Sequence, residues 1–198
     1  MTSWDERYKT SSYLYGTEPS QALVSNAHVF PANSRILCVA DGEGRNSVWL
    51  AEQGHRVTAW DASEVAVEKA RRLAQARGVD VDYTHADAGH FDWTEQQYDV
   101  VVGIFIQFAA PDLRDRMFKG MKAATRPGGL IFLHGYTRDQ IEHGTGGPPC
   151  ADNLYTEDLL RDRFGNTLIH KLEAYETFLS EGSGHSGRSA VVDLVCEL

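Results

Sequence analysis

The stretch from Arg35 to Ser63 constrains the fold more strongly than any other part of the chain. Residues 35–40 are an apolar run rich in β-forming side chains, and they lead into a loop that contains Gly42 and Gly44. Residues 45–53 have the apolar spacing of a helix, which Gly54 is placed to end. A second strand over residues 56–60 is followed by Asp61. This order predicts a strand–helix–strand unit whose first loop binds a ligand.

The side chains of this loop indicate which ligand it binds. Gly42 and Gly44 allow a sharp turn and a close approach of the ligand to the backbone. Asp61 lies 19 positions after Gly42, near the spacing of about 20 that places a carboxylate on ribose hydroxyls in nucleotide-binding units. Asp41 and Glu43 would repel a pyrophosphate at the helix N-terminus, whereas they would attract a cation. The pattern therefore favours S-adenosylmethionine, which carries a sulfonium and an ammonium, over a dinucleotide; a glycine turn without a ligand is the alternative.

The composition limits the functions that are compatible with the chain. Its 198 residues are 42% hydrophobic and 24% charged, which is ordinary for one folded domain. The formal net charge of −9 argues against a nucleic-acid partner and favours a small molecule. No apolar run has the roughly 18 residues of a membrane span, and the N-terminal segment lacks the apolar core of a signal peptide.

The cysteine and histidine residues indicate neither a disulfide framework nor a metal site. Cys38, Cys150 and Cys196 are isolated from one another, so we expect free thiols in a reducing cytoplasm. The 8 histidines form no HxH or HxxxH pattern, so we expect no metal ligands among them. A monomer and a homodimer are both compatible with the sequence.

Strands and helices continue to alternate beyond the first unit. Helices are predicted over residues 64–77, capped by Ser63, and over residues 112–124, and strands over residues 81–85, 98–108 and 129–136. Residues 136–153 have the composition of a loop, and Thr156 is placed to cap a helix that ends at Phe164. Two last strands, over residues 167–179 and 190–197, are joined too closely for a helix and should form an antiparallel hairpin. The alternation predicts an α/β fold with a mainly parallel sheet.

Residues 1–34 precede the first strand and are predicted to be a helical lead-in to a main domain over residues 35–198. Four aromatic side chains cluster near the start of this segment: Trp4, Tyr8, Tyr13 and Tyr15. They either pack an N-terminal helix onto the domain, or form a lid in which Tyr8 or Tyr15 closes over the cofactor. Both interpretations are open at the level of the sequence.

Seven short motifs follow one another along the chain: WDERY, YGTEP, GEGRN, the later Asp61, RPGG, TGGPP, and the run from Glu181 to Gly187. Together they resemble class I S-adenosylmethionine-dependent methyltransferases, in particular the small bacterial branch near the tellurite-resistance and thiopurine methyltransferases. The resemblance implies a Rossmann-like three-layer α/β/α sandwich with a seven-stranded, mostly parallel sheet whose last strand is antiparallel. It also implies S-adenosylmethionine as the cofactor.

The resemblance implies that Gly42 and Gly44 border the methionine part of the cofactor, Asp61 the ribose, and Asp87-Ala88 the adenine. The family's first motif, D-x-G-x-G, has its acid near the end of the first strand, where this chain has Cys38; Asp41, slightly later, is expected to take over that role. The full set of residues expected at the cofactor is Tyr15, Ala40, Asp41, Gly42, Gly44, Asn46, Asp61, Ala62, Asp87, Ala88 and Ile104.

The acceptor is expected at the carboxyl edge of the sheet, after the fourth and fifth strands. Methyl transfer needs a dedicated base only when the acceptor has a high pKa, because a thiol or selenol can react as its own anion; no catalytic residue is therefore assigned. His134 is either a general base or a hydrogen-bonded core residue, and His185 is expected to be a mobile surface residue. The candidates for lining the acceptor are His134, Tyr136 and Gln107, with Phe105, His185 and the loop 143–149 beside them.

The leading hypothesis is a methyltransferase that acts on a small-molecule acceptor, possibly a thiol or another chalcogen compound. One alternative is a nicotinamide-dependent oxidoreductase, which would require the loop to accept a pyrophosphate beside Asp41 and Glu43. The other alternative is a module that binds S-adenosylmethionine without catalysis, which the altered first motif keeps open.

Overall fold

A seven-stranded β-sheet with strand order β3-β2-β1-β4-β5-β7-β6 organises the computed structural model, which describes residues 4–198. The strands are β1 (Arg35–Val39), β2 (Arg56–Asp61), β3 (Asp82–His85), β4 (Tyr98–Ile104), β5 (Thr125–Tyr136), β6 (Leu168–Glu181) and β7 (His185–Glu197). The helices are α1 (Trp4–Tyr8), α2 (Gln21–Asn26), α3 (Arg45–Glu52), α4 (Glu64–Arg77), α5 (Pro111–Ala124), α6 (Gln140–His143) and α7 (Glu157–Phe164). Two short 3-10 turns cover Ala27–Val29 and Ala151–Asn153.

The strand directions confirm the predicted fold class. β1 pairs with β2, β2 with β3, and β4 with β5, all in parallel, while β7 pairs with β5 in antiparallel. The sheet is therefore mostly parallel with an antiparallel last strand, and helices flank it, as expected for a Rossmann-like fold. Parallel strands that helices cover are apolar along their whole length, and β1 and β4 are buried over nearly all of theirs.

Contacts between residues divide the chain into two compact units. The first unit extends to Asp92 and includes the hairpin turn Glu181–Gly184, and in it α3 packs against α4 and β2. The second unit comprises Trp93–Ser180 and His185–Leu198, with α5 packed on β4 and β5. The boundary predicted at residues 34/35 stays a prediction, and the first three residues of the predicted lead-in lie outside the described residues.

The predicted helix ends are confirmed where capping residues define them. The hydroxyl of Ser63 accepts the N–H of Ala66 at 3.1 Å and begins α4, which Gly78 ends in the left-handed conformation with φ 69°. The hydroxyl of Thr156 accepts the N–H of Leu159 at 3.1 Å and begins α7. Local sequence is enough for these caps because each bond spans only three residues.

Three predicted segments are wrong in their extent. The strand predicted over residues 98–108 ends at Ile104, because Phe105 adopts a left-handed φ of 53° that takes the chain out of the sheet. β5 begins at Thr125 rather than at residue 129, with a register shift against β4 between Tyr98 and Val100. The segment 136–153 contains α6 and a 3-10 turn rather than loop alone.

The last two strands form the predicted hairpin, but their turn is tighter than expected. β6 runs to Glu181 and β7 starts at His185, so that only residues 182–184 connect them. Across residues 4–198, none of the helices has the length and apolar character that would let it cross a lipid bilayer.

Candidate active site

The loop after β1 has the backbone geometry of a close-approach site. Ala40, Gly42 and Gly44 all have positive φ values, of 49°, 64° and 91°. Such a value is easy for glycine and uncommon for alanine, so Ala40 keeps a strained conformation where the strand meets the loop. A Cβ atom at Gly42 would lie 3.0 Å from the hydroxyl oxygen of Tyr8. The loop therefore leaves little room for side chains above its backbone.

Asp61 links the end of β2 to this loop. Its Oδ2 accepts the N–H of Gly42 at 2.8 Å, and its Oδ1 accepts the N–H of Ser63 at 2.8 Å. Burial raises the pKa of the Asp61 carboxyl, and the hydrogen bonds from Ser63 and Gly42 oppose that rise. A carboxylate oxygen can accept more than one hydrogen bond, so both oxygens retain acceptor capacity for the hydroxyls of a bound nucleoside.

Asp41 has a less favourable environment for its charge. Burial raises the pKa of the Asp41 carboxyl to about 7, and the nearby negative charge of Asp61 acts in the same direction. The hydroxyl of Ser47 donates to the Asp41 carboxylate and lies 2.9 Å from the hydroxyl of Tyr83. The carboxylate would become more stable if a cation came close to it, which is the property expected of a residue that faces a cationic ligand.

The sequence predicted that Glu43 attracts a cationic ligand, but in the structure its charge is paired within the protein. Its carboxylate forms a buried ion pair with Lys69 of α4, and it also accepts the N–H of Leu14 at 2.7 Å. The ammonium of Lys69 donates further to the carbonyl oxygens of Tyr8, Thr10 and Ser12, at 3.3, 3.2 and 2.7 Å. Glu43 therefore fastens the N-terminal segment to the domain, and its charge is already balanced by Lys69.

The N-terminal aromatic side chains pack together and over the glycine loop. Trp4 and Tyr8 stack with ring centroids 5.8 Å apart, and Tyr8 meets Tyr15 edge to face at 6.5 Å. Tyr8 is the most buried of the three and is the one that lies against Gly42. Tyr15 is half-buried and packs against the hairpin turn at Gly184. Both predicted roles, packing and covering the loop, are compatible with this arrangement.

Three predicted cofactor residues use their polar groups within the protein. Asn46 accepts the N–H of Ser20 through Oδ1 at 2.9 Å, so its side chain holds residue 20 in place. Asp87 is exposed, and its carboxylate accepts the N–H groups of Gly89 and His90 at 2.8 and 3.1 Å. Ala62 is exposed, and its carbonyl oxygen lies 3.2 Å from Nε2 of His85. Ala88 and, in the second unit, Ile104 at the end of β4 are half-buried.

Gln107 holds the end of β5 through its side-chain amide. Its amide donates to the carbonyl oxygen of Tyr136 at 2.6 Å and accepts the N–H of the same residue at 2.7 Å. Both groups of the amide are thereby used to hold the end of β5, and the side chain is buried. The place of Gln107 beside the acceptor stays a prediction, and its contact with the backbone of Tyr136 could not be read from the sequence, which does not reveal which backbone groups lack a strand partner.

An aromatic cluster surrounds Phe105 in the second unit. The ring centroid of Phe105 lies 4.7 Å from those of His134 and Tyr136 and 4.1 Å from that of His185. His185 is buried as the first residue of β7, so the prediction of a mobile surface residue is wrong. The hairpin turn is shorter than the glycine and serine content of the segment indicated, which places His185 in the strand.

His134 and Asp193 form a buried pair that the sequence analysis missed. They stand opposite each other on β5 and β7, and Nδ1 of His134 lies 2.7 Å from Oδ1 of Asp193. A charged residue inside the apolar run of β7 was the available signal, because an aspartate is almost never buried without a partner. Across residues 4–198 no three His, Cys, Asp or Glu side chains lie close enough together to hold a metal ion.

Comparison with known proteins identifies a methyltransferase domain within the chain. Residues 36–129 match the sequence profile of the methyltransferase domain family. The structure is also similar to that of TehB from Haemophilus influenzae, with a TM-score of 0.70 and 17% identity over 98% of this chain and 65% of that one. Residues 36–129 thus have the sequence of a methyltransferase domain, and the fold of the chain is similar to that of S-adenosylmethionine-dependent methyltransferases. S-adenosylmethionine is the cofactor that this methyltransferase domain implies.

The residues around the glycine loop of the methyltransferase domain fit this cofactor. When it is ionised, the carboxylate of Asp61 accepts hydrogen bonds and donates none. It therefore suits the hydroxyl groups of a ribose and would repel a phosphate attached to that ribose. The carboxylate of Asp41, destabilised by burial, suits the cationic end of the same ligand. The positive φ of Gly42 and the nearness of Tyr8 keep side chains out of the space above the loop.

Two further similarities cover more of the chain than residues 36–129. A curated relative, tRNA 5-carboxymethoxyuridine methyltransferase of Escherichia coli, is 27% identical over 140 residues, which are 65% of this chain and 53% of that protein. This chain thus spans about half the length of that relative. A solved structure from the study "Conversion of a Disulfide Bond into a Thioacetal Group during Echinomycin Biosynthesis" has a TM-score of 0.82 and 19% identity, over 98% of this chain and 89% of that one.

Proposed function

We propose that the protein transfers the methyl group of S-adenosylmethionine to a small-molecule acceptor that reacts through a thiol or another chalcogen atom. The observation that carries the proposal is Asp61, whose carboxylate joins the glycine loop and keeps acceptor capacity at the end of β2. The family match supports the reaction. The choice of acceptor rests on the resemblance to the tellurite-resistance branch, and the similarity in fold to TehB agrees with it.

The bound cofactor supplies the methyl group in an activated form, because the carbon is attached to a sulfonium. In our proposal Asp61 accepts hydrogen bonds from the ribose hydroxyls, and Asp41 provides negative charge for the cationic methionine end. Gly42 and Gly44 allow the backbone to approach the ligand, and Tyr8 and Tyr15 exclude water from it. The protein then contributes mainly binding, orientation and a dry site, which is what an in-line displacement at an activated carbon needs.

An RNA acceptor is the second candidate, because the relative from Escherichia coli is named for a tRNA nucleotide. The net charge of −9 does not favour it, since a nucleic-acid partner is bound chiefly through positive side chains. We therefore propose the small molecule first. We also propose a cytoplasmic location, on the isolated cysteines of the sequence, and leave the oligomeric state as a monomer or homodimer.

Calorimetry followed by a methyl-transfer assay tests the proposal. The protein is titrated with S-adenosylmethionine, with S-adenosylhomocysteine and with NAD, and binding of the first two without the third is expected. It is then incubated with methyl-labelled S-adenosylmethionine and a panel of alkyl thiols, aromatic thiols, amines and phenols, and label is expected on the thiols. Binding of NAD alone would support an oxidoreductase. Binding of S-adenosylmethionine without transfer to any compound would support a non-catalytic module.

A further inference from the structure

The side chains of Asp41, Ser47 and Tyr83 form a hydrogen-bonded cluster within the first unit. Asp41 belongs to the loop after β1, Ser47 to the first turn of α3, and Tyr83 to β3. A Cβ atom at Gly44 would lie 2.9 Å from the hydroxyl oxygen of Tyr83, so the glycine leaves room for that hydroxyl. Three separate elements therefore bring one carboxyl group and two hydroxyl groups together beside the glycine loop.

The hydroxyl of Ser47 is the centre of this cluster, and it is fully buried. It is within hydrogen-bond distance of three oxygen atoms: Oδ2 of Asp41, the carbonyl oxygen of Gly44 at 3.2 Å, and the hydroxyl of Tyr83 at 2.9 Å. A hydroxyl donates one hydrogen bond and can accept two. The single proton of Ser47 therefore has a choice between Asp41 and Gly44, while Tyr83 donates to the Ser47 oxygen in either case.

This choice lets the cluster hold a proton or release it without moving. When Asp41 is ionised, Ser47 donates to its carboxylate. When Asp41 carries a proton, its O–H donates to the Ser47 oxygen, and Ser47 donates to the carbonyl oxygen of Gly44 instead. Both arrangements satisfy the hydroxyl group of Ser47, so the geometry accommodates either state of Asp41.

Asp61 provides the contrast. Its two oxygens accept the backbone N–H groups of Gly42 and Ser63, which can donate but cannot accept a proton. Those contacts favour the ionised form of Asp61 alone. Of the two carboxyl groups beside the glycine loop, Asp41 is therefore the one whose contacts suit a change of protonation.

Titratable and charged groups of four elements interact with the carboxyl of Asp41: Cys38 of β1, Asp61 of β2, Arg45 of α3 and Tyr83 of β3. Burial raises the pKa of the Cys38 thiol and of the Tyr83 hydroxyl, so both are neutral at pH 7. The guanidinium of Arg45 is positive, but it already forms a buried ion pair with Glu181 at 2.7 Å. The charge that would balance an ionised Asp41 is thus largely used elsewhere.

The pKa of Asp41 agrees with this geometry. Burial and the negative charge of Asp61 raise it to about 7, against the hydrogen bonds from Ser47 and the charge of Arg45. Near neutral pH the carboxyl group is therefore divided between its two protonation states. A cation that reaches Asp41 favours the ionised state and competes with the proton.

We infer that Ser47, with Tyr83 behind it, positions the Asp41 carboxylate for the ammonium of S-adenosylmethionine, and that binding of this ammonium releases the proton of Asp41 to solvent. The inference rests on the proposed function, in which Asp41 faces the methionine end of the cofactor. The exchange is balanced, because one proton leaves the carboxyl group and one ammonium charge takes its place. The affinity for the cofactor then depends on pH through a single group.

Calorimetry with three ligands tests the inference between pH 5 and pH 7.5, where an α-amino group, with a pKa of about 7.7–8.0, stays mostly charged. S-adenosylmethionine and S-adenosylhomocysteine both carry the ammonium, whereas 5′-methylthioadenosine has the nucleoside without the amino-acid end. For the first two we expect the Kd to fall by up to about tenfold per pH unit from pH 5 to 6.5 and to level off above about pH 7. The Kd of 5′-methylthioadenosine should not follow this profile.

The released proton can be counted directly. At pH 6.5 the heat of binding of S-adenosylhomocysteine is measured in two buffers with different ionisation enthalpies, and the difference should correspond to about three quarters of a proton. In Asp41→Asn the release should be close to zero, and the Kd should lose its pH dependence. Asp80→Asn is the matched control, because Asp80 is exposed in the connection between α4 and β3 and should behave as wild type.

Variants of the two hydroxyl groups test the positioning role. Ser47→Ala removes the donor that stabilises ionised Asp41, so the midpoint of the Kd profile should move to higher pH. Ser47→Thr keeps the hydroxyl and should restore it, and Tyr83→Phe should move the midpoint in the same direction as Ser47→Ala. Loss of packing alone would change the Kd equally at every pH. Thermal unfolding of each variant identifies any that fail to fold.

The outcomes separate the inference from the proposed function. S-adenosylmethionine that binds with the same Kd from pH 5 to 7.5 would overturn the inference and leave the proposed function standing. The same conclusion would follow if 5′-methylthioadenosine showed the full pH dependence, or if Asp41→Asn retained it. Failure of wild-type protein to bind S-adenosylmethionine at any pH would contradict the proposed function and the inference together.

Discussion

At the scale of single residues, Asp61 shows how far the spacing of two residues in the sequence predicts their positions in the structure. The 19 positions between Gly42 and Asp61 predicted a carboxylate on the ribose hydroxyls of a ligand, and the structure shows that Asp61 also accepts the N–H of Gly42 at 2.8 Å. The spacing works because α3 returns the chain to a strand adjacent to β1, and the carboxyl ends of parallel neighbours lie side by side. The spacing did not predict the second hydrogen bond of Asp61, which the N–H of Ser63 donates.

Replacing Asp61 should weaken cofactor binding. Asp61→Ala removes the acceptor proposed for the ribose hydroxyls, and we expect a loss of about 1–3 kcal/mol in the binding free energy of S-adenosylmethionine. Calorimetry measures the dissociation constant. Asp82→Ala is the control, because Asp82 is exposed at the start of β3, whereas Asp61 lies level with the end of that strand. An Asp61→Ala protein that is folded and retains wild-type affinity would move the ribose site elsewhere.

Asp41 and Asp87 should change the pH dependence of stability in opposite directions. The folded-state pKa of Asp41, about 7, lies above the ordinary 3.8, so folded protein keeps a proton that unfolded protein releases, and stability falls as pH rises from about 4 to 7. Asp41→Asn removes this loss, which is at most about 4 kcal/mol, and should raise the melting temperature at pH 8 more than at pH 4.

Asp87 provides the opposite case. His90 and the N–H of Gly89 lower the pKa of Asp87, so its contribution to stability is present above the ordinary pKa and is lost as pH falls through the lowered value. Asp87→Asn should therefore lower the melting temperature at pH 8 and change it little at acid pH. Melting curves at pH 4, 6 and 8 measure both variants. If each variant changed the melting temperature by the same amount at pH 4, 6 and 8, these assignments of the two pKa shifts would be contradicted.

At the scale of elements, α4 holds the N-terminal segment on the first unit. Its apolar stripe, with Ala66, Ala70 and Leu73, was recognisable from helical spacing, but Lys69 lies on the same buried side. A lysine there is stable only because Glu43 and three carbonyl oxygens surround its ammonium. Helical periodicity treats every lysine as exposed and therefore could not predict this contact.

Lys69→Met tests this attachment. The substitution leaves Glu43 buried without its counter-charge, so we expect a loss of about 3–5 kcal/mol in the free energy of unfolding. The amide of Leu14, which donates to Glu43, should exchange with solvent faster. Denaturant unfolding and hydrogen exchange provide the two measurements.

Two further variants give the comparison for Lys69→Met. Arg71→Met, on the exposed side of α4, should cost less than about 1 kcal/mol. The double variant Glu43→Gln, Lys69→Met should recover much of the stability, because no unpaired charge remains. A single Lys69→Met variant as stable as Arg71→Met would mean that the buried pair has no net effect on folding.

At the scale of the whole molecule, the net charge of −9 bears on the class of partner. Nucleic-acid binding depends on the release of counterions by positive side chains, and this chain has 28 acidic and 19 basic residues. A labelled tRNA should accordingly show no saturable binding up to about 10 μM protein at 0.15 M salt in fluorescence anisotropy. A basic RNA-binding protein serves as the positive control. Saturable binding in the submicromolar range would favour the RNA acceptor over the small molecule.

The sequence by itself determined the α/β class, the alternation of strands and helices and the capped helix ends. Each of these depends on residues that are near in sequence or joined by one helix, so periodicity and spacing were sufficient. The tertiary structure alone decided where β4 ends, that Gln107 and Glu43 serve the fold, and that His134 meets Asp193 59 residues away. That meeting depends on the register between β5 and the antiparallel β7, which is set by packing along both strands and by no local pattern.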